Sequence, residues 1–198
     1  MMDIISFLEL INIYVIENYL ISLMVFICLL IFYTSLSIPG NLFLFLFSGF
    51  IFGFYLGYIV NIISITIGSF IFFKFSKYFF KYFFKNTYKN YSLKLNSIIK
   101  DSSYEYLVLL RLIPGPPLVA QNLCLSLLKI SKIKLLITTF IGFTPLMLIT
   151  SYIGSKVSNF VELKSFDIKN IFSVNFLIIL IILISLVIIR IVIKKRPS

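Results

Sequence analysis

No charged residue interrupts the chain between Tyr19 and Phe73, and Leu135–Ser155 and Ile171–Ile189 are equally free of charge. A helix crosses a bilayer with about 20 mostly apolar residues, so each stretch supplies at least one span. Composition agrees. The chain is 60% hydrophobic and 13% charged, where soluble domains are roughly half apolar and a quarter charged. The expected class is an all-α integral membrane protein, multi-pass.

A net charge of +11 raises the question of nucleic acid, but no polar domain is present to grip a duplex. Lys and Arg gathered at cytoplasmic loops explain the same excess, so no nucleic-acid partner is expected. Cys28 and Cys124 lie in apolar stretches and form neither a disulfide framework nor a metal-ligand spacing. They are expected to be small buried hydrophobes. The chain has no histidine, which removes the commonest general base and metal ligand. No metal and no cofactor are expected. Asp3, Glu9 and Glu17 stand where a secretory signal needs basic residues.

Residues 1–18 are an acidic, mildly amphipathic lead-in. The apolar run that follows is broken at Ile38-Pro39-Gly40-Asn41, because proline lacks a backbone donor and glycine loosens the chain. Residues 19–37 are then a full span or a hairpin arm. Gly49, Gly53 and Gly57 recur at intervals of four and are expected as a small-residue stripe on one helix face, ahead of a span over 54–73. Lys74, Lys77, Lys81 and Lys85 among phenylalanines predict an interfacial basic helix over 74–100. Two apolar arms, Tyr104–Ile113 and Leu118–Leu128, flank Pro114-Gly115-Pro116-Pro117. Each arm reaches about halfway across the core at 1.5 Å per residue. That predicts a re-entrant hairpin, whose irregular tip must be buried in protein or line a cavity. Residues 135–154 make a further span containing Gly142 and Pro145. A polar loop follows over 155–170, then a last span over 171–193 and a basic tail.

Placing Lys194, Lys195 and Arg196 in the cytoplasm and threading backwards puts 155–170 outside and both 129–134 and 74–103 inside. Only Lys156, Lys164 and Lys169 then lie outside, as the positive-inside rule requires. Ile38-Pro39-Gly40 and Ile113-Pro114-Gly115 stand 75 positions apart, each between an apolar arm and a second arm with a full span. The first opens from outside and the second from inside. This predicts an inverted repeat of two re-entrant helical hairpins plus full transmembrane helices, an arrangement that points to a transport site.

The second half carries Arg111-Leu112-Ile113-Pro114-Gly115-Pro116-Pro117, Asn122, Ile141-Gly142, Pro145, Tyr152 and Gly154, and the first half carries Pro39-Gly40, Gly49, Gly53 and Gly68. This pattern resembles the VTT-domain membrane proteins, the DedA superfamily or SNARE-associated Golgi protein family. Asn41 stands where DedA proper usually has an acid, and Ser126 where a glycine often follows the family's Asn, which places the chain nearer the eukaryote-like branch. The resemblance implies a VTT-type membrane domain over 19–160, followed by a C-terminal loop, last helix and basic tail over 161–198. It also implies re-entrant hairpins and movement of phospholipids or lipid-linked phosphates between leaflets.

Arg111 is one of three arginines, with Arg190 and Arg196, among 18 basic residues, and it falls at membrane depth. Such a charge is costly and marks function by default. It can grip a phosphate in a bidentate fork, or cap carbonyls freed at the break. Asn41, Gln121 and Asn122 could bond a head group or satisfy opened backbone. Asn61, Ser64, Thr66, Thr138 and Thr139 could line a groove or bond their own helices. The expected binding residues are Arg111, Pro114, Gly115, Pro116, Pro117, Asn122, Pro39, Gly40 and Asn41. Gly49, Gly53, Gly142, Pro145 and Gly154 are expected to be structural. The apolar core holds no paired carboxylates and no nucleophile with a base, which argues against an enzyme. The leading expectation is a lipid transporter or scramblase in the cytoplasmic membrane, with lipid head groups and, as a homo-oligomer, a second copy of the chain as candidate partners. The alternatives are a non-transporting assembly protein and a small-solute or ion transporter.

Overall fold

The computed structural model describes residues 13–83, 93, 104–113 and 116–163, the side chains at 80, 81 and 158–163 excepted. The rest of the lead-in and of the basic segment, Pro114, Gly115, the expected last span and the basic tail lie outside these residues. Among the described residues the backbone is helix and turn, without strand. The main helices are α1 (Tyr19–Ser35), α2 (Asn41–Phe83), α3 (Tyr104–Leu112), α4 (Leu118–Leu127) and α5 (Lys132–Leu163). The all-α expectation holds.

α1 ends where Pro39 approaches, since the residue before a proline is driven out of the helical region. The turn is tight: Ser37 has φ 52°, Gly40 has φ 99°, and Tyr33 donates from its hydroxyl to the Pro39 carbonyl at 2.8 Å. The chain then returns alongside α1. Tyr19 and Phe26 set their rings against Phe52, at 6.1 and 5.4 Å between centroids, and Phe26 also meets Phe47 at 6.3 Å.

α2 is two limbs, not one rod. Gly53 sits at φ 76°, ψ −178°, a region open essentially to glycine alone, and the chain reverses there. Asn61 Nδ2 donates to the Phe45 carbonyl at 2.9 Å, and Ser48 Oγ to the Gly57 carbonyl at 3.1 Å. In a continuous helix residues 45 and 61 would stand about 24 Å apart. The expected glycine stripe is therefore corrected. Gly49 and Gly57 face each other across the turn, so close that a methyl on Gly57 would lie 2.8 Å from Gly49 Cα.

The long limb, 54–83, runs unbroken past Phe73. Up to Phe83, the basic helix expected from residue 74 is the end of this same helix, because neither proline nor glycine stops it after Gly68. Lys74 and Lys77 fold back over the rings of Phe70 and Phe73, at 4.7 and 5.2 Å. α5 likewise continues to Leu163, through the first part of the expected loop at 155–170. Polarity alone does not end a helix, and no proline or glycine follows Gly154 before residue 163.

α2 and α5 are long and apolar enough to cross a bilayer, and the long limb alone measures about 45 Å at 1.5 Å per residue. These two helices pack together at the centre. One core cluster joins Leu30, Phe45, Val60, Ile65, Phe143 and Met147. A second joins Phe73, Leu107, Leu125, Leu128, Ile130 and Leu135. Small residues let the backbones approach: added carbon at Gly49 would strike the Ser151 backbone, and at Gly154 the Leu46 carbonyl.

Polarity is inverted relative to a soluble fold. Thr34, Ser48, Asn61, Ser64, Ser69, Thr138 and Ser151 are buried, while Ile59, Ile63, Ile67 and Ile71 form an exposed stripe on the long limb. So broad an apolar exterior suits lipid rather than water. Cys28 is exposed and Cys124 half-buried, which corrects the expectation that both are buried. Where the surroundings are apolar, a small hydrophobe gains little by turning inward.

Candidate functional site

Arg111 occupies the last turn of α3 and is 2% exposed. Among the described residues its guanidinium is met by neutral groups. Nη2 donates to Asn122 Oδ1 at 2.7 Å and to Thr139 Oγ1 at 3.4 Å, and Nη1 to Gln121 Oε1 at 3.4 Å. The Phe143 ring lies 4.9 Å beneath it. α5 admits the side chain through Gly142, where a methyl would collide with Arg111 Cβ. No acidic side chain among the described residues pairs with Arg111, and its Nε has no hydrogen-bond partner. Burying a charge in this way is expensive unless a counter-charge arrives.

α4 supplies two of the neutral partners, Gln121 and Asn122, and α5 the third, Thr139. Gln121 is anchored by its Nε2 donating to the Pro116 carbonyl at 3.1 Å. Asn122 donates from Nδ2 to Ser37 Oγ at 2.8 Å, and Ser37 donates to the Thr34 carbonyl at 3.3 Å. The turn after α1 is thereby joined to α4.

Between the tips lies a cavity of about 540 Å³. The first tip lines it with Ser37 through Leu42, and the second with Arg111–Ile113, Pro116 and Pro117. Gly142, Phe143 and Pro145 of α5 close it. Pro39, Gly40, Asn41, Arg111, Pro116 and Pro117 thus share one cavity, and Asn122 stands behind Arg111. Pro145 removes a backbone donor from α5 at the wall. Apolar walls with few polar groups are the usual make-up of a ligand site. Asn41 Oδ1 is buried and unpartnered as well.

Gln121 also lines the cavity, whereas Asn61, Ser64, Thr66, Thr138 and Thr139 do not. Thr139 reaches Arg111, Thr138 bonds the Lys134 and Leu135 carbonyls of its own helix, and Asn61 ties Phe45 to Ser151 Oγ at 3.0 Å. Gly49, Gly53 and Gly154 serve packing and the turn. Ser37 was not singled out by sequence reasoning. Its signal, a serine just before an Ile-Pro-Gly break, is weak among so many serines.

The chain resembles known proteins on this same frame. It is 30% identical over 176 residues to the Transmembrane protein 41 homolog of Dictyostelium discoideum, an alignment covering 86% of this chain and 52% of that protein. The chain therefore spans about half the length of the curated relative it matches. No solved structure matches it. Residues 38–156 match the VTT domain, a stretch that begins at the first tip and ends in α5. This match agrees with the Arg-to-Pro-Pro pattern and with the inside-out distribution of polarity: the chain is a membrane protein of the VTT-domain, SNARE-associated Golgi family.

Proposed function

We propose that the protein moves phospholipid or lipid-linked phosphate head groups between the leaflets of a membrane. The head group passes through the cavity between the two tips, while its tails stay in lipid. The observation that carries this reading is Arg111: buried, without an acidic partner among the described residues, and lining the cavity between the two turns. A phosphate supplies the missing counter-charge, and the guanidinium supplies a fork that fits it. Neutral partners hold the fork without neutralising it.

In this reading both hairpins are re-entrant and enter from opposite faces. Support comes from a correspondence between the halves. Thr34, before the first tip, packs against Gly68 of the long limb, as Arg111, before the second, packs against Gly142 of α5. In each half a residue of the first arm thus packs against a glycine of a long helix, a neutral residue in one and a cation in the other. Lysine distribution places 74–103 and the C-terminus in the cytoplasm, as a multi-pass protein of the cell membrane.

The test is reconstitution of purified protein into liposomes carrying tail-labelled lipids, with leaflet exposure read by a membrane-impermeant quencher. Quenching of more than the outer-leaflet fraction, only in vesicles holding protein, supports translocation. Quenching that stops at the outer leaflet contradicts it.

A further inference from the structure

The charge-free stretches 54–73 and 135–155 lie side by side. At one end the rings of Phe54 and Tyr152 meet edge to face, 6.0 Å between centroids. At the other, Phe73 and Leu135 share a core cluster with Leu107 and Leu128. Lysine bounds both stretches there, Lys74 after the first and Lys134 before the second. A hydrocarbon core takes about 20 helical residues, so Lys74 and Lys134 stand at one membrane boundary. Lys77, Lys129 and Lys132 gather at the same end, with Glu105 the one acid there among the described residues. Nζ of Lys74, Lys77 and Lys134 lies over the rings of Phe70, Phe73 and Tyr104, at 4.7, 5.2 and 4.7 Å. Beside these lysines Phe75 is 67% and Tyr78 72% exposed, and Tyr78 stacks on Tyr82 at 6.2 Å.

We infer that this end of the bundle is a docking surface for anionic phospholipids of the adjoining leaflet. The ammonium groups take the phosphates, and the exposed rings lie against the glycerol and upper acyl chains. One anionic lipid meets both demands, because its charge adjoins its apolar surface at the depth where lysine adjoins ring. An acidic soluble protein would match the charges alone and leave Phe75 and Tyr78 uncovered. Phosphatidylcholine carries its own cation, which the lysines oppose. The surface is separate from the cavity. Arg111 packs at Gly142, about 12 Å along α5 from Lys134 at 1.5 Å per residue. The inference therefore stands or falls apart from translocation.

The chain has no tryptophan, so the indole introduced by Tyr78→Trp reports on this surface alone. The full chain is reconstituted in vesicles of fixed phosphatidylcholine and phosphatidylglycerol content. The same fraction of lipid is brominated on its acyl chains, as one lipid or the other, and quenching of the indole is compared. Phosphatidylglycerol should be enriched about fivefold, the weight of one lysine near an anionic surface, and less as salt rises. Tyr55→Trp, at the opposite end, should show no enrichment. Lys74→Gln, Lys77→Gln, Lys132→Gln and Lys134→Gln, combined with Tyr78→Trp, should abolish it, and Arg111→Gln should leave it unchanged. Equal quenching by the two lipids overturns the inference, as does an enrichment that survives the four substitutions. Loss of enrichment in Arg111→Gln assigns the signal to the cavity and overturns it equally. Polyglutamate that removes the enrichment at matched charge assigns the surface to an acidic peptide and overturns the lipid. If the fourfold variant does not fold, Lys74→Gln with Lys132→Gln, both exposed, should roughly halve the enrichment, and an undiminished value overturns the inference.

Discussion

Asn122 donates to Ser37 Oγ across 2.8 Å, a bond between residues 85 positions apart that joins the turn after α1 to α4. The same amide accepts from Arg111 at 2.7 Å. Asn122 is therefore both the clasp between the halves and the support of the cation. Asn122→Leu leaves Ser37 and Arg111 each short of a partner in an apolar interior. The expected loss is about 1–3 kcal/mol, seen as a lower midpoint of thermal unfolding in detergent. Ser37→Ala removes one bond and should cost less.

Gly53 provides a cleaner test of backbone geometry. A methyl added there meets nothing within 4 Å, so any penalty in Gly53→Ala comes from holding alanine at φ 76°. That penalty is about 1–3 kcal/mol. Gly154→Ala destabilises by another route, collision with the Leu46 carbonyl. Ile63→Ala, on the exposed stripe, should leave the midpoint nearly unchanged. Thermal unfolding of the three, monitored by size exclusion, separates these cases, and an undisturbed Gly53→Ala would remove the chain reversal.

Gly142→Ala tests whether the pose of Arg111 matters apart from its charge. The added methyl presses on Arg111 Cβ and must shift the guanidinium. The expected result is reduced lipid movement per folded molecule with arginine still present. Retention of full movement would show that the cavity tolerates a displaced cation.

Single cysteines at Ser92 and Ser158, with Cys28 and Cys124 replaced, test the orientation drawn from the lysines. Ser92→Cys should react with an impermeant maleimide only after the membrane is opened, and Ser158→Cys should react in intact cells. Reaction at position 92 in intact cells would reverse the topology.

Much of the site was legible in the sequence, because its residues break local rules. Proline inside an apolar run and an arginine within an apolar stretch each conflict with a plain spanning helix, and Pro39, Arg111, Pro116 and Pro117 all line the cavity. The reversal at Gly53 was not legible in this way. Three glycines at intervals of four look alike whether they form a stripe or enclose a turn, and only the sign of φ distinguishes them. The spacing of the two Ile-Pro-Gly tripeptides gives one hint: Leu128, where the turn after α4 begins, stands the same 75 positions after Gly53. Ser37 was harder, since what marks it is a partner on a distant segment. Polarity over 155–163 suggests a loop, but no proline or glycine there breaks the helix.

Arg111 is the centre of the functional reading, and flux per folded molecule tests it most directly. Arg111→Gln removes charge and fork; Arg111→Lys keeps charge alone. One charge-assisted contact is worth about 1.5–3 kcal/mol, or about tenfold or more in rate if felt in the transition state. With folded protein quantified by size exclusion, the Gln variant should move lipid at one tenth of the wild-type rate or less. The Lys variant should fall between the two. Wild-type flux per folded molecule in Arg111→Gln would contradict the reading and leave Arg111 as a brace for the second tip.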